Sequence, residues 1–190
     1  MSTIQTPRLQ IRLLTKRDAS DLYEAVVETI EQLLPWMSWA ELYKTGGVEV
    51  AEKFIENVSV EAREAQKATE WHFGLWKQEK LVGVVALMRF DRTTQSIEIG
   101  YWCRASEQRK GFITEAVNAL TRFALESLSA RRVTLICREE NLKSAAVAER
   151  LQFKLNQIGP YDGDILPNVR YRFYCCSCCS ELPDLEVRFA

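Results

Sequence analysis

One stretch of the sequence, from Ser96 to Glu115, decides the fold. It begins Ser96-Ile97-Glu98-Ile99-Gly100-Tyr101-Trp102-Cys103-Arg104 and, after three residues, continues Gln108-Arg109-Lys110-Gly111-Phe112-Ile113-Thr114-Glu115. The first part predicts a strand, and the second opens a helix at a glycine that follows two cations. Backbone N–H groups at a helix N-terminus lack partners and carry partial positive charge, so they can bind a diphosphate. The pattern predicts an anion site at this helix start, with an ordinary strand-to-helix turn as the alternative.

The same segment lacks two common phosphate-binding motifs. No Gly-Lys-Ser/Thr follows, so it is not a Walker A loop, and the Gly-x-Gly-x-x-Gly of a Rossmann fold is absent. A diphosphate held here would rest on the helix amides, on Gly111, which lets the backbone approach closely, and on the charges of Arg109 and Lys110.

The flanking sequence predicts a mixed fold and not a repeating strand–helix array. Residues 8–13 alternate apolar and polar side chains, as in a half-buried strand, and two long helices follow, the first stopped by Pro35 and the second beginning after Gly47. Three β-rich runs are expected to pair antiparallel: Trp71–Lys77, Leu81–Phe90 and Ser96–Arg104. After them come a helix from Gly111 to about Ser129, a buried strand Arg132–Cys137, a short helix Asn141–Leu151, and two closing strands, Phe153–Ile158 and Val169–Cys176. This order predicts an α+β fold.

Composition limits the possible functions. The 190 residues suit one domain, 1–190, and 47% hydrophobic with 27% charged residues is typical of a globular chain. A net charge of −1 argues against direct nucleic-acid binding. The single histidine, His72, excludes a multi-histidine site, and no metal is predicted. No apolar run suits a signal peptide or a membrane span, which favours a cytoplasmic protein without a membrane partner.

Four of the six cysteines lie between Cys175 and Cys179. In a reducing compartment such residues stay thiols and act as small apolar fillers. Strand packing is therefore the expected role, with metal binding and redox reactivity as alternatives.

Several blocks resemble the GNAT N-acetyltransferases. Gln108–Ile113 is similar to their acyl-CoA pyrophosphate loop, Gln/Arg-x-x-Gly-x-Gly/Ala. Asn141–Ser144 followed by Glu149–Phe153 is similar to their downstream Asn-x-x-Ser … Glu-Arg-Leu-Gly-Phe block. Leu34–Trp39 and Ile99–Trp102 are similar to the branch that acetylates ribosomal protein N-termini, although relatives that acetylate small amines or antibiotics share the same blocks.

The resemblance extends from about Thr6 to Tyr174, with two departures. Ile113 stands where the wider family has Gly or Ala, although the ribosomal-protein branch tolerates an aliphatic residue there. Gln152 replaces the usual Gly after the short helix, at a position that often needs a left-handed backbone. A non-Gly residue there costs about 1 kcal/mol, so a small adjustment is expected and not a lost fold.

The resemblance implies a fold and a donor. The fold is a single-domain, mixed but mostly antiparallel sheet of seven strands flanked by about four helices, with the fourth and fifth strands splayed apart. The donor is acetyl-CoA (coenzyme A), whose pantetheine arm lies in the gap, where backbone N–H groups stabilise the oxyanion by about 3 kcal/mol per donor. The residues expected to hold the cofactor are Trp102, Cys103, Arg104, Gln108, Arg109, Lys110, Gly111, Phe112, Ile113, Thr114, Asn141, Lys143 and Ser144.

The resemblance also implies catalytic residues. Ser144 matches the residue near the CoA sulfur that protonates the departing thiolate, and an ordinary helix hydroxyl is the alternative. Asn141 has the side chain of an N-cap and in the family also reaches the cofactor. Two carboxylates stay open as the general base: Asp162, after the strand that begins at Phe153, and Glu98 on the central strand. A surface or structural carboxylate is the alternative for each.

The acceptor is expected to be an amine. Similarity places Trp36, Met37 and Trp39 beside the acceptor entrance, and His72 is a further cleft candidate, with core or edge packing as the alternative for all four. The first hypothesis is the N-terminal α-amine of a ribosomal protein, whose pKa of about 8 requires only a modest base. A small amine (polyamine, amino acid or aminoglycoside) and a non-catalytic acyl-CoA sensor are the alternatives, and a homodimer is left open.

Overall fold

The computed structural model of the chain describes residues 3–63, 68–161 and 169–189. Within them, nine strands form one sheet: β1 Ile4–Gln5, β2 Gln10–Leu13, β3 Trp71–Lys77, β4 Lys80–Asp91, β5 Ser96–Cys103, β6 Arg132–Arg138, β7 Lys154–Gly159, β8 Tyr171–Cys176 and β9 Arg188–Phe189. The α-helices of the same ranges are α1 Ala19–Leu33, α2 Leu42–Thr45, α3 Val48–Arg63, α4 Phe112–Glu126 and α5 Leu142–Arg150. None of these helices has the length and apolar character that crossing a membrane requires.

The sheet runs β7-β8-β6-β5-β4-β3-β2-β1-β9 from edge to edge. All neighbours pair antiparallel except β5 and β6, which are parallel and joined through the crossover helix α4. The mixed, mostly antiparallel sheet is therefore confirmed. In the described ranges it has nine strands instead of the predicted seven, because β1 and β9 add to one edge. Strands of two residues are too short to show the alternation on which the prediction relied.

The strands β5 and β6 separate after a short paired region. Their register joins Ser96–Glu98 to Arg132–Thr134 and then ends, although both strands continue. On its other side β5 stays paired with β4 as far as Cys103 opposite Gly83. The two strands therefore form a V that opens toward their carboxyl ends. This confirms the splay predicted between Ser96–Arg104 and Arg132–Cys137.

Different helices cover the two faces of the sheet. The odd-numbered residues from Ile97 to Tyr101 pack in the core formed with α4 and α5. Trp102 packs on the opposite face, in the core formed with α1, α2 and α3. Because side chains alternate along a strand, Glu98 and Gly100 share the face of Trp102. Groups on both faces of the sheet can therefore contact a ligand that lies in the V.

A residue just after the end of α5 adopts the left-handed conformation that the sequence predicts. Gln152 has a φ of 61°, and Phe153 N–H closes the helix by donating to the carbonyl of Ala148 at 3.0 Å. We expect Gln152→Gly to raise the free energy of unfolding in urea by about 0.5 kcal/mol, because glycine removes the steric cost but enlarges the unfolded ensemble. Gln152→Ala keeps the β-carbon and should change nothing; equal stabilities of the two variants would contradict the strain.

Candidate active site

The loop from Gln108 to Gly111 leads into a helix start without a side-chain cap. Gly111 precedes α4 with φ 81° and ψ 4°, and no side chain caps the first turn. Arg109 also has a positive φ, 63°, a costly conformation for a residue with a β-carbon. The first amides of α4 lack intrahelical acceptors, so together with the helix dipole they form a site for an anion.

Residues before β2 brace this loop through a buried carboxylate. Glu115, in the first turn of α4, is 8% exposed. It accepts hydrogen bonds from Thr6 Oγ1 at 2.6 Å, Arg8 N–H at 3.0 Å and Arg8 Nε at 2.5 Å. Arg8 also donates to the carbonyl of Lys110 at 2.8 Å. The guanidinium therefore ties the loop to the helix; because the Arg8 side chain is 47% exposed, losing this ion pair costs less than losing a fully buried one.

Helix α1 braces the residues that join β5 to this loop. Glu28 accepts hydrogen bonds from Arg104 Nε at 2.6 Å and from Ser106 N–H at 2.8 Å, and Thr29 Oγ1 accepts the N–H of Ala105 at 3.0 Å. Burial alone raises the pKa of Glu28, but the hydrogen bonds from Arg104 and Ser106 outweigh it and lower that pKa to about 2.

The lowered pKa of Glu28 predicts how the stability of the fold changes in acid. The folded pKa of about 2 lies below the ordinary 4.5, so the stabilisation is complete above 4.5 and is lost as the pH falls toward 2. Glu28→Gln is expected to destabilise the fold by about 1 kcal/mol at neutral pH, discounted for partial exposure, and the deficit should vanish in acid. Thermal melts across the acid range measure it, with exposed Glu31→Gln on α1 as the control. A pH-independent deficit would contradict the ion pair.

The cations predicted at the loop differ in their availability. Lys110 Nζ donates to Glu107 at 2.8 Å, and Lys80 Nζ donates to the same carboxylate at 2.7 Å. Hydrogen bonds from both lysines lower the pKa of Glu107, so Lys110 is already engaged. The side chains of Arg109 and Lys143 lie exposed and can reach a phosphate without breaking a described ion pair.

Three further residues at the start of α4 can act mainly through their backbone. The ring of Phe112 is buried, with Arg8 and Lys77 over it at 5.0 and 5.5 Å from its centroid. Ile113 packs partly against the core formed with α4 and α5, and Thr114 is half-buried. Each of the three supplies a first-turn N–H group to the anion site.

At the end of β5, too, the backbone groups and not the side chains are available to a ligand. The Trp102 side chain is buried. Cys103 Sγ lies 3.5 Å from the carbonyl oxygen of Val82, and burial raises the Cys103 pKa to about 11, which makes it an unreactive thiol. The carbonyl of Cys103 and the side chain of Gln32 accept the Gln108 amide at 3.3 and 2.6 Å, which anchors Gln108.

The open edge of β5 presents amides to the V. Arg104 N–H donates to the carbonyl of Val82 at 2.9 Å, so the even-numbered amides of β5 point to β4. The odd-numbered amides from Ile99 to Cys103 point to the side where β6 has separated, beyond the last described pair at Glu98. An extended ligand with its own amides can add here as a strand would.

Ser144 lies in the first turn of α5 and contacts β5 at Tyr101, three residues beyond the last pair of β5 with β6. Asn141 is the N-cap of α5, as predicted, and its side-chain oxygen accepts the Ser144 N–H at 3.1 Å. The Tyr101 hydroxyl lies 2.9 Å from Ser144 Oγ and 3.1 Å from the Ser144 carbonyl oxygen. Cys137 of β6 also hydrogen-bonds Ser144, and burial raises the pKa of Cys137. Ser144 therefore joins β5, β6 and α5.

Glu98, one of the two candidate bases, is held by an arginine and a tyrosine. Arg89 Nη1 donates to Glu98 Oε2 at 2.6 Å, and the Tyr161 hydroxyl donates to the same oxygen at 3.2 Å. Arg89 reaches it from an irregularity in β4, where its φ is 52°. Taking a proton at Glu98 would weaken this ion pair. The other candidate, Asp162, lies outside the described residues.

The predicted acceptor segment contacts both strands of the V. Trp39 packs on Trp102 of β5, with ring centroids 6.4 Å apart. Arg138, the last residue of β6, donates to the carbonyl of Pro35 at 3.1 Å. The segment Leu34–Trp39 therefore lies across the mouth of the V.

The aromatic side chains of that segment are open to solvent. Trp36 and Trp39 are 37% and 39% exposed, well above a core residue, whereas Met37 packs partly against the core formed with α1. The two indoles can line an entrance, whereas the side chain of Met37 is directed partly to the core.

His72 lies farther from Ser144. It pairs with Ala86 on β4, which pairs with Gly100 on β5, so two strand spacings, about 10 Å, separate His72 from β5. Its Nε2 lies 3.4 Å from Glu70, and its ring packs edge-on against Phe54 at 5.2 Å. The structure places His72 on the acceptor face but against α3.

Sequence reasoning missed four residues that shape the site: Arg8, Glu28, Arg89 and Tyr101. Three of them act on groups at least 43 positions away, and Arg89 acts on Glu98 nine positions away across a hairpin. Only Tyr101 left a local signal, since it lies in the strand that precedes the loop. The alternation of that strand was enough to place Tyr101 on the α5 side.

The comparisons with known proteins agree with this geometry. Residues 8–154 match the family described as acetyltransferase (GNAT) domain. YdaF of Bacillus subtilis (strain 168), provisionally named a ribosomal N-acetyltransferase, is 31% identical over 146 residues, 76% of this chain and 77% of its own. The ribosomal-protein-serine acetyltransferase of Escherichia coli (strain K12) is 28% identical over 77% of this chain and 79% of its own.

A solved structure extends the likeness to the fold. RimL, a ribosomal alpha-N-protein acetyltransferase in complex with coenzyme A, superposes with a TM-score of 0.81 at 19% identity, covering 92% of this chain and 97% of its own. The chain therefore belongs to the GNAT acetyltransferase family. It is an N-acetyltransferase, and acetyl-CoA, the donor of the family, is the cofactor that the sequence predicts.

Proposed function

We propose that this acetyltransferase modifies the N-terminal α-amine of a protein, with a ribosomal protein as substrate. The observation that carries the proposal is the V between β5 and β6, with Ser144 bonded to Tyr101 on one side of it and solvent-open indoles across its mouth. The names of the relatives YdaF and RimL support this choice of acceptor. Such a substrate would place the enzyme in the cytoplasm, acting as the single domain 1–190.

The residues present fit acetyl-CoA along the V. The uncapped amides of α4 and the exposed Arg109 suit the diphosphate, and the open edge of β5 suits the amide-containing arm. Lys143 and Asn141 flank that path at the start of α5. When bound, acetyl-CoA supplies an acetyl thioester. The amides of β5 that face the V can donate to its carbonyl oxygen, each worth about 3 kcal/mol if aimed at the developing charge.

The acceptor amine enters from the opposite face. There Gly100 leaves the floor of β5 without a side chain, although Met88 Cε lies 2.7 Å from the position a β-carbon would take. An α-amine has a pKa of about 8, so a fraction is neutral at physiological pH and a weak base suffices. Glu98 and Asp162 remain the proposed bases. Glu98 would accept the amine proton while its carboxylate is held by hydrogen bonds from Tyr161 and Arg89.

The test of this function is a comparison of acceptors. Release of free thiol from acetyl-CoA is measured with a ribosomal protein N-terminal peptide, with the same peptide blocked at its α-amine, with spermidine and with an aminoglycoside. We expect turnover with the free peptide only. Turnover with a small amine alone would assign a small-molecule acetyltransferase, and tight coenzyme A binding without thiol release from any amine would assign a sensor.

Ser144→Ala tests the proposed acid. Because the hydroxyl acts on the leaving sulfur and not on substrate binding, we expect kcat to fall about 10- to 100-fold while the Kd for coenzyme A stays unchanged. Ser59→Ala on α3, whose hydroxyl bonds the carbonyl of Ile55 in its own helix, is the control and should keep full activity. Unchanged kcat in Ser144→Ala would remove Ser144 from the reaction.

A further inference from the structure

We propose that Tyr101 is a positioning residue for acetyl transfer: its hydroxyl holds the Ser144 hydroxyl so that the serine hydrogen is directed at the leaving sulfur. The inference deepens the proposed function and rests on it, because it assigns the thioester sulfur to the part of the V beside Tyr101 and Ser144.

The position of Tyr101 supports that assignment. It lies three residues beyond Glu98, the last residue of β5 paired with β6, or about 10 Å into the V. Its ring points to the α4–α5 face, and its hydroxyl spans from β5 to the first turn of α5. A ligand arm entering at the open end would reach this hydroxyl pair.

The two hydrogen bonds of Tyr101 define two states of Ser144. If Tyr101 donates to the Ser144 carbonyl, 3.1 Å away, the Ser144 hydroxyl must donate to Tyr101, 2.9 Å away, and its hydrogen is not free. If Tyr101 donates to Ser144 Oγ instead, the serine hydrogen no longer bonds Tyr101, and it can turn from Cys137 to a more negative sulfur in the V. Only the second state can serve a thiolate. A developing negative charge on sulfur favours that state, because the dipole of each hydroxyl then points its positive end toward the charge.

The other neighbours of Ser144 keep the site neutral. Burial raises the pKa of the Tyr101 hydroxyl and of the Cys137 thiol, so both stay protonated. Asn141 fixes the Ser144 backbone through its N–H. As the C–N bond forms and the C–S bond breaks, the electron pair passes to sulfur. The amine proton passes to the proposed base and then to solvent, while the sulfur receives a hydrogen bond and then a proton from the Ser144 hydroxyl, which solvent reprotonates.

The first test removes one oxygen atom. Tyr101→Phe is expected to lower kcat about 10-fold, as for the loss of one charge-assisted hydrogen bond, with the KM for acetyl-CoA within about twofold. Tyr174→Phe is the matched control, because Tyr174 tethers α5 through a hydroxyl bond to Glu149 at 3.0 Å and has no described hydrogen bond to Ser144. The two variants should lose similar thermal stability, but only Tyr101→Phe should lose kcat. Equal kcat values for Tyr101→Phe and wild type would overturn the proposal.

The second test separates positioning from packing. If Tyr101 acts through Ser144, the double variant Tyr101→Phe with Ser144→Ala should have the same kcat as Ser144→Ala alone. If the two residues act independently, the fold-losses of kcat of the single variants should multiply in the double variant. Multiplied losses would overturn the proposal.

A third measurement does not depend on the acceptor. The ultraviolet absorption of the thiolate reports the pKa of the coenzyme A thiol when bound. Wild type should lower that pKa relative to free coenzyme A, and Tyr101→Phe should raise it again by about half a unit or more. If no amine is acetylated yet this shift is found, the proposed function fails and the role of Tyr101 stands. If acetylation proceeds and the two proteins titrate alike, the role of Tyr101 fails and the function stands.

Discussion

Gly111→Val is expected to weaken coenzyme A binding by about 100-fold, equivalent to about 2.7 kcal/mol. Gly111 has a φ of 81°, a conformation that costs a residue with a β-carbon about 1–2 kcal/mol and a β-branched residue more. A β-carbon at this position would also lie 3.2 Å from Arg8 Nη2, on the guanidinium that ties Glu115 to Lys110. Valine therefore disturbs the amides of α4 and the brace behind them together.

Calorimetric titration of coenzyme A measures the effect, and Gly111→Asn is the comparison. Asparagine tolerates a left-handed backbone better than other residues with a β-carbon, so it should retain most of the affinity. Circular dichroism is expected to show both variants folded, because the loop lies at the surface. If valine and asparagine bind coenzyme A as tightly as wild type, the amides at this helix start do not hold the diphosphate.

The same loop shows what local sequence could predict. The glycine after two cations, the alternation of β5 and the N-cap spacing of Asn141 and Ser144 are local patterns, and the structure reproduces each. Gln152 was predicted to be left-handed because it replaces the family's usual glycine after a helix, where a left-handed residue is common, and its φ is 61°. Properties set within one turn or one strand are therefore readable from the chain.

The contacts that complete the site are long-range and left no such pattern. Arg8 reaches Glu115 across 107 positions and Glu28 reaches Ser106 across 78; neither pairing has a spacing to recognise. Glu98 is engaged by Arg89 because an irregular, positive-φ residue redirects β4 at that point. Hydrophobic periodicity says which face a residue takes, but not which charge from another element will meet it.

The V itself was predicted through family resemblance, and one further residue, Gly83 of β4, holds its β5 edge close to β4. Gly83→Ala is expected to destabilise the fold by about 2–3 kcal/mol, the range for overpacking a tight core position. A β-carbon on Gly83 would lie 2.5 Å from the carbonyl oxygen of Trp102 and 3.3 Å from the Cα of Cys103. Both are backbone atoms of β5, so no side-chain rotation relieves the contact. Either β4 and β5 move apart at their last paired residues or the strand twists.

Urea denaturation measures this loss, and Gly159→Ala on β7 is the matched control, because nothing lies within 4 Å of its added β-carbon. The control should be neutral or slightly more stable, since alanine restricts the unfolded chain. Gly83→Ala should also weaken coenzyme A binding, because Gly83 supports the end of β5 whose amides face the V. Equal stability of the two variants would show that β5 can yield at Cys103. In that case the β4–β5 pairing would not hold the edge of β5 in place, and the geometry of the V would have to come from β6 and α5.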